Sequence, residues 1–467
     1  MSLIFTDRSR YARGLNHCQM ARYLGHHFLG TGIRSVGNSI PLATGTYTHL
    51  PIELITKYCK DLQSKLSPNE ILVKLDQEHV VRESIETALT QYNHDVDNTG
   101  WLNVVENEED IVNLAEEQCT LVGGLVWVWA RKCLPWILQN FQIVAIEEEF
   151  ELVLGCDCGL VGAGKPEIHK ERDCNAVILM TRPDIVLAPN EGDTLVYVEI
   201  KTAGDAMGKE YALQYEDNLQ FAMGAAALEQ NLGKPVSHLY VHALHKGKRL
   251  SDYDQITKTY SGPRKQNSAL CYAYIRPGNP PMYGEDIRTS YWNVDELTGK
   301  RWGATESKGY TKTPVWKMEF DDQPPGIPYY EHYVLNKLSD ADLENHIKFI
   351  GPIDNPKFLV SALLRELEME ERRWAERIEY IQHVMKDNRI AIDHPNPMSF
   401  PVILEAMQDV IPRSWNCRLY YQDCEYKPIC FQHPGWEDPL NTDKYIRRYP
   451  NHPIESTLQE GVFEDRE

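Results

Sequence analysis

Residues 175–204, NAVILMTRPDIVLAPNEGDTLVYVEIKTAG, constrain the fold more than any other stretch of the chain. Two apolar runs, 175–188 and 194–200, have strand composition. The turn-formers Pro189, Asn190, Glu191, Gly192 and Asp193 separate them, so the pattern predicts a β-hairpin. Side chains alternate along a strand, which puts Glu199 and Lys201 on one face and Val198 and Ile200 on the other. Asp184 falls on the partner strand, directly after Pro183, which would bend it. Such a hairpin brings an Asp, a Glu and a Lys to one place. Two carboxylates there would hold a divalent cation through hard oxygen donors, and the lysine could orient or polarise a water attacking a phosphodiester. The same residues also read as a solvated strand face with an ordinary ion pair, so the rest of the chain has to decide.

The chain has 467 residues, enough for about three domains or for one large domain with insertions. A formal net charge of −20 argues against a generally basic nucleic-acid coat protein. It leaves room for an enzyme whose basic groove sits on an acidic body. Residues 1–15 lack the apolar centre of a signal peptide, and the most apolar run, 121–130, is about half the length of a membrane span. The expectation is an intracellular, cytoplasmic protein with no membrane partner. Eleven cysteines, odd in number and widely spread, fit metal ligation by a subset better than a disulfide framework.

Read in order, residues 1–110 are mainly helical, with helices over about 15–28, 46–62 and 84–92. A long apolar helix is expected over about 108–139, ended or kinked by Pro135. Strands over 142–154, the hairpin, a helix over 209–230 and a strand over 236–244 complete a core over 111–245. That order suits a mixed sheet with helices on its faces, an α/β (α+β) class. Residues 246–335 change character and read as an irregular or β-rich insertion. Its KGKR at 246–249 and its aromatics Tyr260, Tyr272, Tyr291, Trp292 and Trp302 suit either single-stranded nucleic acid or a small separate core. Residues 339–388 read as helical, and 400–467 as a loop-rich, cysteine-bearing tail.

Cys417, Cys424 and Cys430 lie close together in that tail, as soft ligands of zinc or an iron–sulfur cluster would. Cys18 lies far upstream in HCQMARYL, followed by Arg22 and Tyr23, and His49 stands in GTYTHLPIE four residues after Gly45. With PD…EIK between them, this order resembles the RecB-type branch of the PD-(D/E)xK nuclease superfamily. Within it, the chain is most similar to the members with an iron–sulfur cluster, the AddB nuclease module and the CRISPR-associated RecB-like exonucleases. The gap between Cys424 and Cys430 matches the family's usual spacing; that between Cys417 and Cys424 is longer.

The resemblance implies a restriction-endonuclease-like sheet and a Mg²⁺- or Mn²⁺-dependent deoxyribonuclease, in recombination, repair, phage DNA processing or CRISPR adaptation. His49, Asp184, Glu199 and the carbonyl of Ile200 would be metal ligands, with Lys201 positioning the attacking water. Cys18, Cys417, Cys424 and Cys430 would hold a structural 4Fe-4S cluster joining the N-terminal helix to the tail. DNA, as single strands or duplex ends, is the implied partner, with a helicase or recombination protein as a further one. The family's helical Gln-x-x-x-Tyr motif is matched by Gln220 with Gly224 in the tyrosine position, or by Gln214 with Asn218 there. The missing tyrosine leaves open a non-catalytic DNA-binding or assembly subunit that keeps the fold.

Four weaker signals complete the reading. Residues 159–165 imitate a phosphate-binding loop, but Pro166 replaces its hydroxyl residue. Cys156, Cys158, His169 and Cys174 form an irregularly spaced second zinc set or a group of structural thiols. Glu147, Glu148 and Glu149 offer either a carboxylate to the site or a solvated strand end. Glu116 and Glu117 are alternatives to His49.

Overall fold

The computed structural model describes residues 4–7, 18–28, 32–36, 40–99, 108–156, 158, 174–203, 209–215, 219–246, 272–275, 311–314, 343–355, 357–390, 399–411, 418–419 and 422–448 without 435, 437 and 443. After β1 (Ile4–Asp7), α1 (Gln19–His26) and β2 (Ile33–Ser35) come three helices, α2 (Ile40–Gln63), α3 (Pro68–Gln77) and α4 (Val80–Thr99). Ser67 and Glu70 form a reciprocal capping box at the start of α3, next to a proline whose missing N–H costs nothing there. α5 (Glu108–Lys132) stops short of Pro135 and the chain restarts as α6 (Leu134–Asn140), as the sequence predicts. Leu134, Ile137 and Leu138 resume the apolar face beyond Arg131 and Lys132. The apolar stretch is therefore longer than 121–130: Gln118–Asn140 could cross a membrane by length and composition, but 78% of its apolar window is buried inside the protein.

The strands follow: β3 (Phe141–Ile146), β4 (Phe150–Cys156), β5 (Ala176–Thr181), β6 (Ile185–Pro189) and β7 (Leu195–Ala203). Then come α7 (Lys209–Leu213), α8 (Leu219–Leu232), β8 (Val236–His245), and the antiparallel pair β9 (Tyr272–Ile275) and β10 (Thr311–Pro314). The last described part holds β11 (Ile347–Asp354), α9 (Lys357–Asp387), α10 (Phe400–Val410), the short pair β12 (Arg418–Leu419) and β13 (Gln422–Asp423), α11 (Lys427–Cys430) and β14 (Tyr445–Arg447). β11 corrects the helical reading of 339–388. Only every third residue or so of β11 is buried and it contains Gly351-Pro352, so it lacks the strict alternation that marks a strand. It lies at the sheet edge, where a proline is tolerated.

The protein is thus a mixed α and β chain with no closed barrel among the described residues. The main sheet has strand order β11-β8-β7-β6-β3, with only β7 and β8 parallel. A second sheet has order β1-β5-β4. β3 pairs with β6 and β4 with β5, all antiparallel, so one long two-stranded ribbon crosses from the first sheet to the second. It bends where Glu147, Glu148 and Glu149 face Arg182, Pro183 and Asp184.

Alternation along β7 sends Val196, Val198 and Ile200 into a core shared with α2, α4, α5 and α6. Leu195 and Tyr197 point the other way, into a core shared with α8 and with Leu367 of α9. A third core joins the two ends of the described chain. Met20, Tyr23 and Leu24 of α1 pack with Trp374, Phe400, Leu404, Tyr426, Ile429 and Tyr445, and β2 pairs with β14. Inside it the Arg22 guanidinium donates to Glu371 at 2.6 Å and lies 4.4 Å from the Trp374 ring centre. A buried guanidinium is tolerable only when paired in this way.

Candidate active site and metal centre

The ribbon's bend builds the first half of the site. Pro183 has no N–H for the ladder, and the strand breaks there into β5 and β6. Opposite, Glu147 adopts a φ of +49°, the left-handed region that non-glycine residues rarely enter. Its backbone N–H donates to the Asp184 carbonyl at 3.1 Å, so the two bend residues are tied together. Both carboxylates meet His49, which α2 brings from the other side. His49 Nδ1 lies 3.5 Å from Glu147 Oε1 and 3.6 Å from Asp184 Oδ1. One donor atom from each lies within 4.8 Å of the others, and the group can hold a metal ion. A small cation about 2.1 Å from each ligand fits between donors so spaced. The donors are two carboxylates and one imidazole, a set able to bind a divalent cation.

The second half comes from β7. β6 covers this strand only as far as Val198, because its own partner register ends at Ile185. The next N–H on that side, Ile200, instead donates to Asp184 Oδ2 at 2.6 Å. It is therefore the amide of Ile200 that contacts the site's carboxylate. Glu199 and Lys201 share the opposite face. The Glu199 carboxylate is nearly buried, at 3% exposed, and accepts from the Tyr197 hydroxyl, from Lys201 Nζ and, at 2.8 Å, from Gln220 Nε2 on α8. Gln214 is exposed beyond α7.

Gly224 accounts for the tyrosine. A Cβ there would lie 2.7 Å from Tyr197 Cε1, closer than packed carbons approach. The glycine one turn after Gln220 thus leaves room for the Tyr197 ring, and a tyrosine hydroxyl reaches Glu199 from β7.

These residues open onto a cleft of about 1010 Å³ lined by His49, Glu147, Asp184, Lys201 and Gln220. Asp7 at the end of β1 lines it too, with Arg182 and Lys246 as further cations. Arg182 Nε is 3.2 Å from Glu147 Oε2. Burial lowers the Lys246 pKa below the usual lysine range. At His49, burial acts to lower the pKa, but the carboxylates of Asp184 and Glu147 outweigh it and the net shift is upward. By contrast His242 is enclosed in the aromatic core beside Trp129 and Trp136, and burial pushes its pKa down to about 3. It is a neutral core histidine.

The sequence-derived site residues His49, Asp184, Lys201 and Gln220 therefore line one cleft, with Glu199 immediately behind them. The three-residue donor group includes Glu147, whereas Glu199 is engaged by Tyr197, Lys201 and Gln220. Of the proposed cluster cysteines, Cys18 stands at the N-terminus of α1, Cys424 precedes α11 and Cys430 ends it; all three pack against the third core. Cys417 lies outside the described residues, as do His169, residues 159–165, and Tyr260, Tyr291, Trp292 and Trp302 of the insertion. The side chains of Tyr272, Glu116 and Glu117 are likewise outside the description.

Asp7 and Tyr197 went unread in the sequence, and Glu147 was one of three equal candidates. Tyr197 had a usable signal, since it stands two residues before Glu199 on one strand face. Neither protein-family models nor curated protein sequences give a match to this chain.

Proposed function

We propose that this chain is a metal-dependent deoxyribonuclease of the PD-(D/E)xK type. The observation that carries the reading is the meeting of His49, Glu147 and Asp184 with Lys201 in the lining of one cleft. The five-stranded mixed sheet with helical cores on both faces supports a restriction-endonuclease-like core.

His49, Glu147 and Asp184 would hold Mg²⁺ or Mn²⁺, which when bound polarises a phosphoryl oxygen and acidifies a bound water. Lys201, steadied by Glu199, lines the cleft, where its ammonium would attract an attacking water or a phosphate oxygen. Gln220 and Tyr197 fix the Glu199 carboxylate and so fix the lysine. The Ile200 amide holds Asp184 Oδ2, leaving Oδ1 turned toward His49. Arg182 and Lys246 supply positive charge where a polyanionic backbone would lie, on a protein whose overall charge is negative. A cleft this size admits a nucleotide with its neighbours, as a single strand or duplex end.

Cys18, Cys424 and Cys430, with Cys417, would hold the 4Fe-4S cluster. Because Cys18, Cys424 and Cys430 pack against the third core, such a cluster would fasten α1 to the C-terminal elements.

The experiment is degradation of end-labelled single- and double-stranded DNA by the full chain with Mn²⁺. Lys201→Ala is expected to lower the rate by about 10²–10⁴-fold with the melting temperature little changed. Equal rates in the two proteins would refute the assignment.

A further inference from the structure

A second group of metal-ligating side chains lies at the far end of β4 and β5 from the cleft. Cys156 ends β4, Cys158 lies two residues on, and Cys174 stands just before β5. Cys156 Sγ is 3.0 Å from the sulfurs of both Cys158 and Cys174. All three sulfurs lie within 4.8 Å of one another. Cys156 and Cys174 are buried and Cys158 partly so, among Val153, Ala176 and Ile178.

Three thiols packed only as small apolar side chains have no reason to turn their sulfurs to one point. A disulfide would join two sulfurs at about 2.05 Å and leave the third pressed against it. A thiophilic cation uses all three. Tetrahedral zinc about 2.3 Å from each sulfur sets sulfurs about 3.8 Å apart. Side-chain rotations that move each sulfur by less than about an ångström reach that spacing.

We propose that Cys156, Cys158 and Cys174 hold a zinc ion as thiolates, three ligands of a tetrahedral set. On binding, three S–H protons pass to solvent and three S–Zn bonds form, with no change of oxidation state. The register pairs Cys156 with Ala176, so the ion would sit between the end of β4 and the start of β5. It ties the end of β4 to the start of β5 and stiffens the ribbon whose other end carries Glu147 and Asp184. The site uses none of the cleft residues and none of the cysteines assigned to the iron–sulfur cluster.

The test is elemental analysis of the full-length protein purified from zinc-supplemented cells. About one zinc per chain is expected. It should persist in Asp184→Asn and in Cys424→Ser, and be lost in the Cys156→Ser, Cys174→Ser double variant. Those two controls separate this inference from the nuclease and cluster readings, either of which can fail while the zinc remains. Should the double variant not fold, Co²⁺ exchange into the wild-type protein decides. Thiolate-to-cobalt absorption that zinc abolishes supports the site. Zinc retained in the double variant, iron in place of zinc there, a disulfide found by thiol counting, or wild-type protein that takes up neither zinc nor cobalt would each overturn it.

Discussion

Beyond one end of the pair β4–β5 lies a nitrogen- and oxygen-donor set, and at the other end a sulfur set. At the bend, His49, Glu147 and Asp184 offer nitrogen and oxygen, and they border an open cleft with Arg182, Lys201 and Lys246 nearby. At the opposite end, Cys156, Cys158 and Cys174 offer sulfur, closed in by Val153, Ala176 and Ile178. The strands are alike; the surroundings differ. Carboxylates lining a cleft would suit a small, exchangeable cation that, on the proposed reading, must also meet substrate. Thiols in an apolar wall suit a tightly held ion that never meets it. On the proposed reading, one ribbon would separate chemistry from fastening by its own length.

The largest effect that would break this contrast is at Glu147. Glu147→Gln removes a charged donor from the hard set alone. It is expected to lower nuclease rate by about 10²-fold and to weaken Mn²⁺ binding measured by calorimetry, with zinc content unchanged. Loss of zinc with the rate intact would reverse the assignment of the two ends.

A middle-sized effect tests the support behind the hard set. Gly224→Ala places a methyl 2.7 Å from Tyr197 Cε1, and overpacking of this kind costs roughly 1–3 kcal/mol in denaturant unfolding. Tyr197→Phe keeps the ring and removes only the hydrogen bond to Glu199, for about 1 kcal/mol. In the double variant Gly224→Ala, Tyr197→Val the packing cost should be largely relieved. An unrelieved cost would show that Tyr197 is not what the glycine accommodates.

Much of this was readable in advance, and what was not has identifiable causes. Pro183 and the turn residues 189–193 marked the bend and the hairpin, and period-two alternation put Glu199 and Lys201 on one face; the same alternation carries Tyr197, which was not read. The site's order along the chain, His49 to Gln220, was likewise legible. Glu147 was not, because three adjacent glutamates look alike until a left-handed backbone selects one. The role of Gly224 was also hidden, since its meaning is a distance to a ring on another element. β11 was missed because an edge strand interrupted by Gly351-Pro352 has little periodicity to read. The thiol group was visible only as irregular spacing until register brought Cys156 beside the residues before β5.

The smallest effect concerns protons. The folded His49 pKa is raised above its unfolded value near 6.5 by Asp184 and Glu147, against the opposing effect of burial. Its ionic contribution is therefore fully present below about pH 6.5 and is lost as pH rises through the raised folded value. In chelator-treated protein, the melting-temperature advantage of wild type over His49→Gln should be greatest at acid pH, worth below about 1 kcal/mol, and should vanish at alkaline pH. An advantage that grows with pH would mean that the carboxylates do not hold the protonated ring.

The most direct measurement is anomalous diffraction from crystals grown with both Mn²⁺ and Zn²⁺, recorded at each metal's absorption edge. The account predicts manganese among His49, Glu147 and Asp184 and zinc among Cys156, Cys158 and Cys174, at opposite ends of β4–β5. Manganese absent from the cleft, or zinc absent from the thiols, would contradict it.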